Sequence, residues 1–115
     1  MQSYQKLDVW QMGIENSVGI YTLTKQLPKE ELFGLTNQIR RAANSIPINV
    51  AEGYGRNNRK EYVQFVGIAY GSCCEVETLL ILCDRLYKLD VTREMELTTR
   101  VGAMLWKLRE SLRTS

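Results

Sequence analysis

The chain has 115 residues, of which 44% are apolar and 24% charged, and this composition is typical of a folded globular protein and excludes a disordered one. Fifteen Lys and Arg against thirteen Asp and Glu give a net charge of +2, and the absence of histidine excludes every mechanism that needs an imidazole. The length fits a single domain, residues 1–115, with one core. No uninterrupted apolar run approaches the ~18 residues of a membrane span, and the first residues lack the apolar segment of a secretory signal, so we expect no membrane association.

The first predicted helix covers residues 8–27. Asp8 followed by Gln11 is the pattern of an N-cap with its capping-box partner. Downstream of this pair, two adjacent seams follow helical spacing. One seam contains Trp10, Ile14, Ser17, Tyr21 and Thr24, and the other contains Gly13, Ile20 and Leu27.

The second predicted helix covers residues 28–54. Pro28 cannot continue the preceding helix but suits the first turn of a new one. Pro47 lies inside this second helix, where it removes one backbone donor and its ring meets the carbonyl of Ala43. We therefore predict a kink or a local break at Pro47. Gly53 and the glycine two residues later provide permissive backbone for the end of the helix.

The third predicted helix covers residues 59–89, after a second capping box formed by Asn58 and Glu61. Apolar residues occupy both core positions of its heptads, which indicates burial against its neighbours. A short link follows, and Asp90 or Thr92 caps a fourth helix over residues 92–113. Four helices joined by short links favour an all-α, antiparallel up-down-up-down four-helix bundle.

The residue types present favour a protein that is not an enzyme and needs no cofactor or metal. Cys73, Cys74 and Cys83 do not have a zinc-site spacing, and no histidine is available to complete a site. We interpret them as small buried side chains, and three free thiols fit the reducing cytoplasm. The glycines near residue 54 follow a predicted helix rather than a strand, so they do not match a phosphate-binding loop.

A polar ridge runs along the second predicted helix. Arg41, Ser45, Asn49 and Glu52 are spaced by three or four residues, as is Gln38, and we predict that this ridge is largely shielded from solvent. Glu52 could be a general base or a ligand, but a partner for a neighbouring arginine or amide, at a turn or a subunit contact, is the simpler interpretation. Glu52→Ala is then expected to destabilise the fold by about 1–3 kcal/mol. The candidate structural motif comprises Arg41, Ser45, Pro47, Asn49, Glu52 and Gly53.

The predicted topology places residues 1–10, 50–64 and 104–115 together at what we call the basic end. These residues include seven basic and four acidic side chains, a net charge of +3. The opposite, acidic end comprises residues 22–36 and 80–97 and carries a net charge of −1. A one-ended basic surface can attract a phosphate backbone, although a solvated surface is the alternative. The candidate nucleic-acid-binding residues are Arg56, Arg59, Lys60, Arg109 and Arg113.

Three segments resemble a known family. They are Gly34–Arg56, with the pattern SIPxNxAEG beginning at Ser45, then Phe65–Glu77 and Val9–Gln11. They resemble the bacterial 23S rRNA intervening-sequence proteins, also called the S23 ribosomal protein family, which is similar to the accessory variability protein of diversity-generating retroelements. The resemblance implies a four-helix bundle that forms a ring-shaped homopentamer, and it supplies no catalytic residues. The retroelement relatives bind a reverse transcriptase and nucleic acid through a strongly basic barrel, whereas this chain carries only +2.

Two functions follow as hypotheses. The first is a homo-oligomer linked to rRNA intervening sequences that binds RNA or DNA with low specificity or serves as a nucleoprotein scaffold. The alternative is a protein-only adaptor whose ring binds a protein partner. Self-association is also indicated by a surplus of large apolar side chains that the four core stripes cannot all accommodate. These side chains are Phe33, Ile48, Tyr54, Tyr70 and Trp106.

Overall fold

A computed structural model describes residues 3–114. Within that range the chain forms four α-helices and no strand: α1 (Asp8–Thr24), α2 (Asn37–Gly55), α3 (Arg59–Tyr87) and α4 (Thr92–Thr114). Each helix packs against its sequence neighbours, and α1 also packs against α4, which closes an antiparallel bundle measuring 45 × 20 × 19 Å. The predicted all-α, up-down-up-down fold is confirmed.

The core is formed by one apolar stripe from each helix, in agreement with the heptads predicted for α3. On α1 the seam that contains Ile20 is buried, and of the other seam Ser17 and Thr24 are buried whereas Ile14 and Tyr21 stay exposed. Burial of each large aliphatic side chain contributes about 1.5–3 kcal/mol. The fully buried apolar side chains include Ile20, Ile39, Ile46, Val50, Val66, Val76, Leu80, Val101 and Leu105.

The connection between α1 and α2 is longer and less regular than predicted. α1 ends at Thr24 rather than at residue 27, and α2 begins at Asn37 rather than at residue 28. Between them lie a 3-10 turn, Lys29–Glu31, and a π-helical turn, Leu32–Thr36. The helical path is interrupted at Gly34, with φ −111° and ψ −114°. The predicted start of the second helix at Pro28 is therefore wrong.

Pro47 does not break α2, which runs continuously from Asn37 to Gly55. The proline is buried at the contact between α1 and α2. A Cβ atom placed on Gly13 would lie 3.4 Å from the Cβ and Cδ atoms of Pro47. The ring therefore packs against a glycine on the neighbouring helix, and of the predicted kink or local break, the break is wrong because helical backbone continues on both sides of the proline.

Two of the three predicted N-caps are present at the starts of the helices. The amide oxygen Oδ1 of Asn58 accepts the backbone N–H of Glu61 at 3.0 Å, as predicted. Asp90 accepts hydrogen bonds from the Thr92 hydroxyl and backbone N–H, and these bonds lower the pKa of Asp90. Asp8, by contrast, is the first residue of α1 and its side chain makes no capping hydrogen bond, so that predicted capping box is wrong.

The residue that follows α3, Lys88, has a left-handed backbone conformation that a substitution can test. α3 ends at Tyr87, two residues before the predicted limit, because Lys88 adopts the left-handed conformation with φ 57°. Lys88→Gly is expected to raise the free energy of unfolding by about 1 kcal/mol, since glycine adopts this conformation without steric cost. Urea denaturation measures the change. As a control, Arg85→Gly, in the last helical turn, should lower stability by about the same amount. Destabilisation by Lys88→Gly would contradict the prediction.

Among the described residues, α3 is the one helix long and apolar enough to cross a membrane by length and composition, with a mean hydropathy of 1.5 in its most apolar window. The expectation that the sequence contains no segment suited to a membrane span is therefore too strong, because α3 meets the criteria of length and composition. This is weak evidence for a membrane span, because the core helix of a compact bundle passes the same test, and α3 packs against α2 and α4 with Val66, Val76 and Leu80 fully buried.

Candidate nucleic-acid interface

The three segments of the basic end meet as the topology predicted. A cleft of about 840 Å³ at this end is lined by Tyr4 from the N-terminal segment, Tyr54 near the end of α2, Tyr62 near the start of α3, and Leu112 from α4. The rings of Tyr54 and Tyr62 lie edge to face with centroids 6.1 Å apart. Burial raises the pKa of Tyr62, and Tyr54 adds to the shift, so the Tyr62 hydroxyl stays neutral at physiological pH. The basic end therefore combines cations with an aromatic cleft.

Arg56 lies in the connection between α2 and α3 with its charge partly compensated. Its guanidinium is 3.1 Å from a carboxylate oxygen of Glu52 and 3.9 Å from one of Glu61, and it lies 5.1 Å from the centre of the Phe65 ring. All three charged side chains are about half exposed. Surface ion pairs contribute only about 0–1 kcal/mol, so a phosphate can replace these carboxylates at little cost.

Arg59 and Lys60 form the first turn of α3, and both are exposed. Arg59 also lines the aromatic cleft. Two cations beside the positive end of a helix dipole are electrostatically unfavourable, and an anion bound near them relieves this repulsion. Arg56 in the connection and Arg59 and Lys60 in the first turn of α3 thus form one exposed stretch of five residues.

The two arginines of α4 have different surroundings. Arg113 is half exposed and its guanidinium lies 3.6 Å from a carboxylate oxygen of Glu110. Arg109 is only partly exposed, and its guanidinium carbon lies 3.5 Å from the position that a Cβ atom on Gly67 would occupy. The buried Nε atom of Arg109 has no hydrogen-bond partner in residues 3–114. Arg109 therefore packs across α3 instead of reaching outward.

The polar ridge of α2 is only partly shielded. The Ser45 hydroxyl is 2.8 Å from that of Ser72 on α3, and the Asn49 amide donates to the Ser45 carbonyl and hydroxyl oxygens at 2.7 and 2.9 Å. Arg41 and Glu52 are exposed at the outer edge of the ridge. The predicted shielding is therefore wrong for Arg41 and Glu52, because residue spacing shows which side chains share a helix face but not how deeply that face is buried.

The exposure of Glu52 changes the expected effect of its removal. Its side chain is 48% exposed and pairs with Arg56 one helical turn away. Glu52→Ala should change the free energy of unfolding by less than about 0.5 kcal/mol, in place of the 1–3 kcal/mol expected from burial. Thermal and urea denaturation measure this difference. A loss above about 1 kcal/mol would show that Glu52 has a buried partner in the assembled protein.

Several large apolar side chains lie on the surface, as the surplus in the sequence predicted. Phe33 is 90% exposed, Ile48 58% and Trp106 50%, whereas Tyr54 and Tyr70 are half-buried. The rings of Tyr70 and Trp106 lie 5.7 Å apart beside a groove of about 420 Å³ between α3 and α4.

A second surface groove was missed from the sequence. It has a volume of about 470 Å³ and lies between α1 and α2, on the other side of the bundle from Trp106. Its signal was the seam of α1 that contains Ile14 and Tyr21, because two adjacent seams cannot both face the core along their whole length. Its apolar lining residues are Ile14, Val18, Tyr21, Pro47 and Ile48.

The cysteines offer no reactive centre in the core. Burial raises the pKa of Cys73 to about 12, with contributions from Glu77 and Cys74, and burial also raises the pKa of Cys83. Both thiols therefore stay protonated at neutral pH and are poor nucleophiles. Cys74 is exposed beside the α3–α4 groove. Within residues 3–114, no group of three or more His, Cys, Asp or Glu side chains is arranged to hold a metal ion.

Comparisons with known proteins agree with this architecture. A crystal structure of a protein with unknown function from the S23 ribosomal protein family of Bacteroides thetaiotaomicron superposes with a TM-score of 0.80. The two chains are 23% identical, and the match covers 88% of this chain and 97% of the other. Comparison with curated proteins gives no significant match. The sequence profile of the 23S rRNA-intervening sequence protein matches residues 5–108. This match spans most of the bundle, and the chain therefore belongs to the family of 23S rRNA-intervening sequence proteins.

Proposed function

We propose that this protein is a non-enzymatic homo-oligomer whose basic end binds RNA or DNA with low sequence specificity, in a role linked to rRNA intervening sequences. The observation that carries the proposal is the arrangement at the basic end, where Arg56 in the α2–α3 connection and Arg59 and Lys60 at the start of α3 are exposed beside the Tyr54–Tyr62 cleft. Cations contact phosphates without reading sequence, and aromatic rings can stack with unpaired bases of any type. The three unpaired cysteines support a cytoplasmic location.

Self-association is supported by the two apolar grooves on different sides of the bundle. Exposed contiguous apolar surface in a soluble protein marks an interaction site. Two different grooves can join copies head to tail, and such contacts close into a ring when the rotation allows it. The number five is implied by the family resemblance, and a five-membered ring with parallel bundles would carry about +15 on its basic rim. Light scattering should give a mass well above the 13.3 kDa of one chain.

The basic end is tested by the triple variant Arg56→Ala, Arg59→Ala, Lys60→Ala. Affinity for a single-stranded RNA should fall by about tenfold or more at about 50 mM salt. The salt dependence should become shallower by about one unit of slope for each phosphate that the variant no longer neutralises. Filter binding at several salt concentrations measures both quantities.

A matched control removes three cations from the acidic end. The variant Lys29→Ala, Arg85→Ala, Arg93→Ala has the same net charge as the triple variant of the basic end and should retain most of the affinity. If the wild-type protein binds neither RNA nor DNA at about 50 mM salt, or if the two triple variants bind equally, the basic end is not a nucleic-acid site.

A protein-only adaptor is the second candidate. It is supported by the α1–α2 groove, whose lining is mostly apolar and carries one cation, Lys25. Such a groove fits an amphipathic helix of a partner better than it fits a nucleic acid. Absence of nucleic-acid binding together with retained self-association would favour this function.

A further inference from the structure

Phe33 is the most exposed large apolar side chain of the described residues. It lies with Leu32, which is also exposed, in the π-helical turn at the acidic end of the bundle, and we call these two residues the Phe33 knob. The interruption of the helical path at Gly34 directly follows the knob. An aromatic side chain held in water at this exposure gains free energy when another surface covers it.

The knob is held in place by hydrogen bonds on both sides of the turn. The Glu31 carboxylate accepts the backbone N–H of Leu35 at 3.1 Å, and its other oxygen accepts the hydroxyl of Tyr87 from the end of α3. These two hydrogen bonds lower the pKa of Glu31, so the carboxylate stays charged and keeps both contacts at neutral pH. Because the turn is fixed before binding, little conformational entropy is lost when Phe33 is covered.

The opposite end of the bundle contains a site of matching character. The aromatic cleft at the basic end has a volume of about 840 Å³, and Tyr54, Tyr62 and Leu112 line it together with polar side chains that include Asn57, Asn58 and Arg59. Gly55 also lines it, and among residues 3–114 no atom beyond its own stretch of helix lies within 4 Å of the position that a Cβ atom on Gly55 would occupy. The cleft is therefore open to an incoming side chain on this side.

The knob and the cleft cannot meet within one chain. They lie at the two ends of α2, whose 19 residues span roughly 28 Å. The ends also differ in charge, with −1 around the knob and +3 around the cleft. We infer that the Phe33 knob of one copy docks into the aromatic cleft of a second copy, end to end.

This contact joins two different surfaces and does not close on itself, so it builds linear stacks. It does not rest on the proposed function, because it can join single bundles as well as rings. It does use the same end of the molecule as the proposed nucleic-acid interface, so added RNA competes with stacking. The opposite charges of the two ends make the contact weaker as salt concentration rises.

The test compares Phe33→Asp, which removes the knob, with Gly55→Trp, which fills the cleft from an open position. Sedimentation velocity of the full chain at low salt should show stacked species for the wild type and none for either variant. Phe33→Asp keeps the cleft and Gly55→Trp keeps the knob. An equimolar mixture should therefore form one contact between the two variants and reach twice the mass of either variant alone. Gln26→Asp, an exposed change at the acidic end, should stack like the wild type, and circular dichroism should show all four proteins equally helical.

Three results would overturn the inference: no species larger than that of Phe33→Asp in the wild type, no recovery in the mixture, or stacking by Gly55→Trp alone. The last result would show that two Phe33 knobs pair with each other. Failure here is distinguishable from failure of the proposed function, because Phe33→Asp leaves every cation of the basic end in place and should bind RNA at least as well as the wild type.

Discussion

Gly53→Ala is expected to lower the free energy of unfolding by about 2–3 kcal/mol. A Cβ atom on Gly53 would lie 2.7 Å from the Cβ of Phe65 and 3.1 Å from a ring carbon of Tyr62. The Cβ of Phe65 is attached to the backbone, so relief of this clash requires α2 and α3 to separate. A change from glycine to alanine in an unobstructed helix stabilises by about 1 kcal/mol, which makes the expected sign diagnostic.

Gly71→Ala is the matched control for Gly53→Ala. Gly71 is an exposed residue in α3, and a Cβ atom there would contact no described residue outside its own stretch of helix within 4 Å. This variant should be as stable as the wild type or more stable by up to about 1 kcal/mol. Urea denaturation of both variants gives the comparison. Equal stabilities for Gly53→Ala and Gly71→Ala would show that α2 and α3 are not held at the close distance described here.

Thr98→Val should destabilise the bundle by about 1–3 kcal/mol, the cost of leaving a buried donor unpaired. Asn16 on α1 donates its side-chain amide to the Thr98 hydroxyl on α4 at 2.7 Å, and both side chains are fully buried. The Thr98 hydroxyl in turn donates to the Glu94 carbonyl at 2.7 Å. Thr78→Val is the control, because the exposed Thr78 hydroxyl contacts only a carbonyl of its own helix, and it should change stability by less than about 0.5 kcal/mol.

The double variant Asn16→Leu, Thr98→Val removes both members of this buried pair. The Oδ1 atom of Asn16 has no hydrogen-bond partner within residues 3–114, so the pair is already incompletely satisfied. Replacement by two apolar side chains is expected to recover most of the stability lost in Thr98→Val. Additive losses in the double variant would mean that Asn16 and Thr98 stabilise the fold independently.

Much of the fold was predictable because helical periodicity and local capping are properties of the sequence itself. α3 and α4 begin at the predicted residues, and Asn58 caps α3 through a contact with a residue three positions away. The start of α2 was not predictable, because the Glu31 side chain holds the turn through Leu35 and through Tyr87, which is 56 residues away. A local sequence pattern cannot predict a contact between residues so far apart in the chain.

The candidate site was likewise predictable from the sequence only in part. Topology alone predicted that three segments meet at the basic end, and their meeting at the aromatic cleft agrees. Spacing could not predict that Arg109 packs over Gly67 or that Pro47 packs on Gly13, because each depends on which residue of another helix faces it. Glu52 is exposed because α3 does not cover this side of α2, and the residue pattern of one helix does not show how far a neighbouring helix covers it.

The hydrogen bond between Asn16 and Thr98 has a consequence for the order in which the bundle assembles. It joins residues 82 positions apart, whereas α2 and α3 are joined by a short connection and can pair as a local hairpin. Loop-closure entropy disfavours early formation of the distant contact, so the seam between α1 and α4 closes late in folding. Weakening this seam should therefore accelerate unfolding while refolding keeps its rate. In the native state, the first opening of the bundle would separate its first helix from its last.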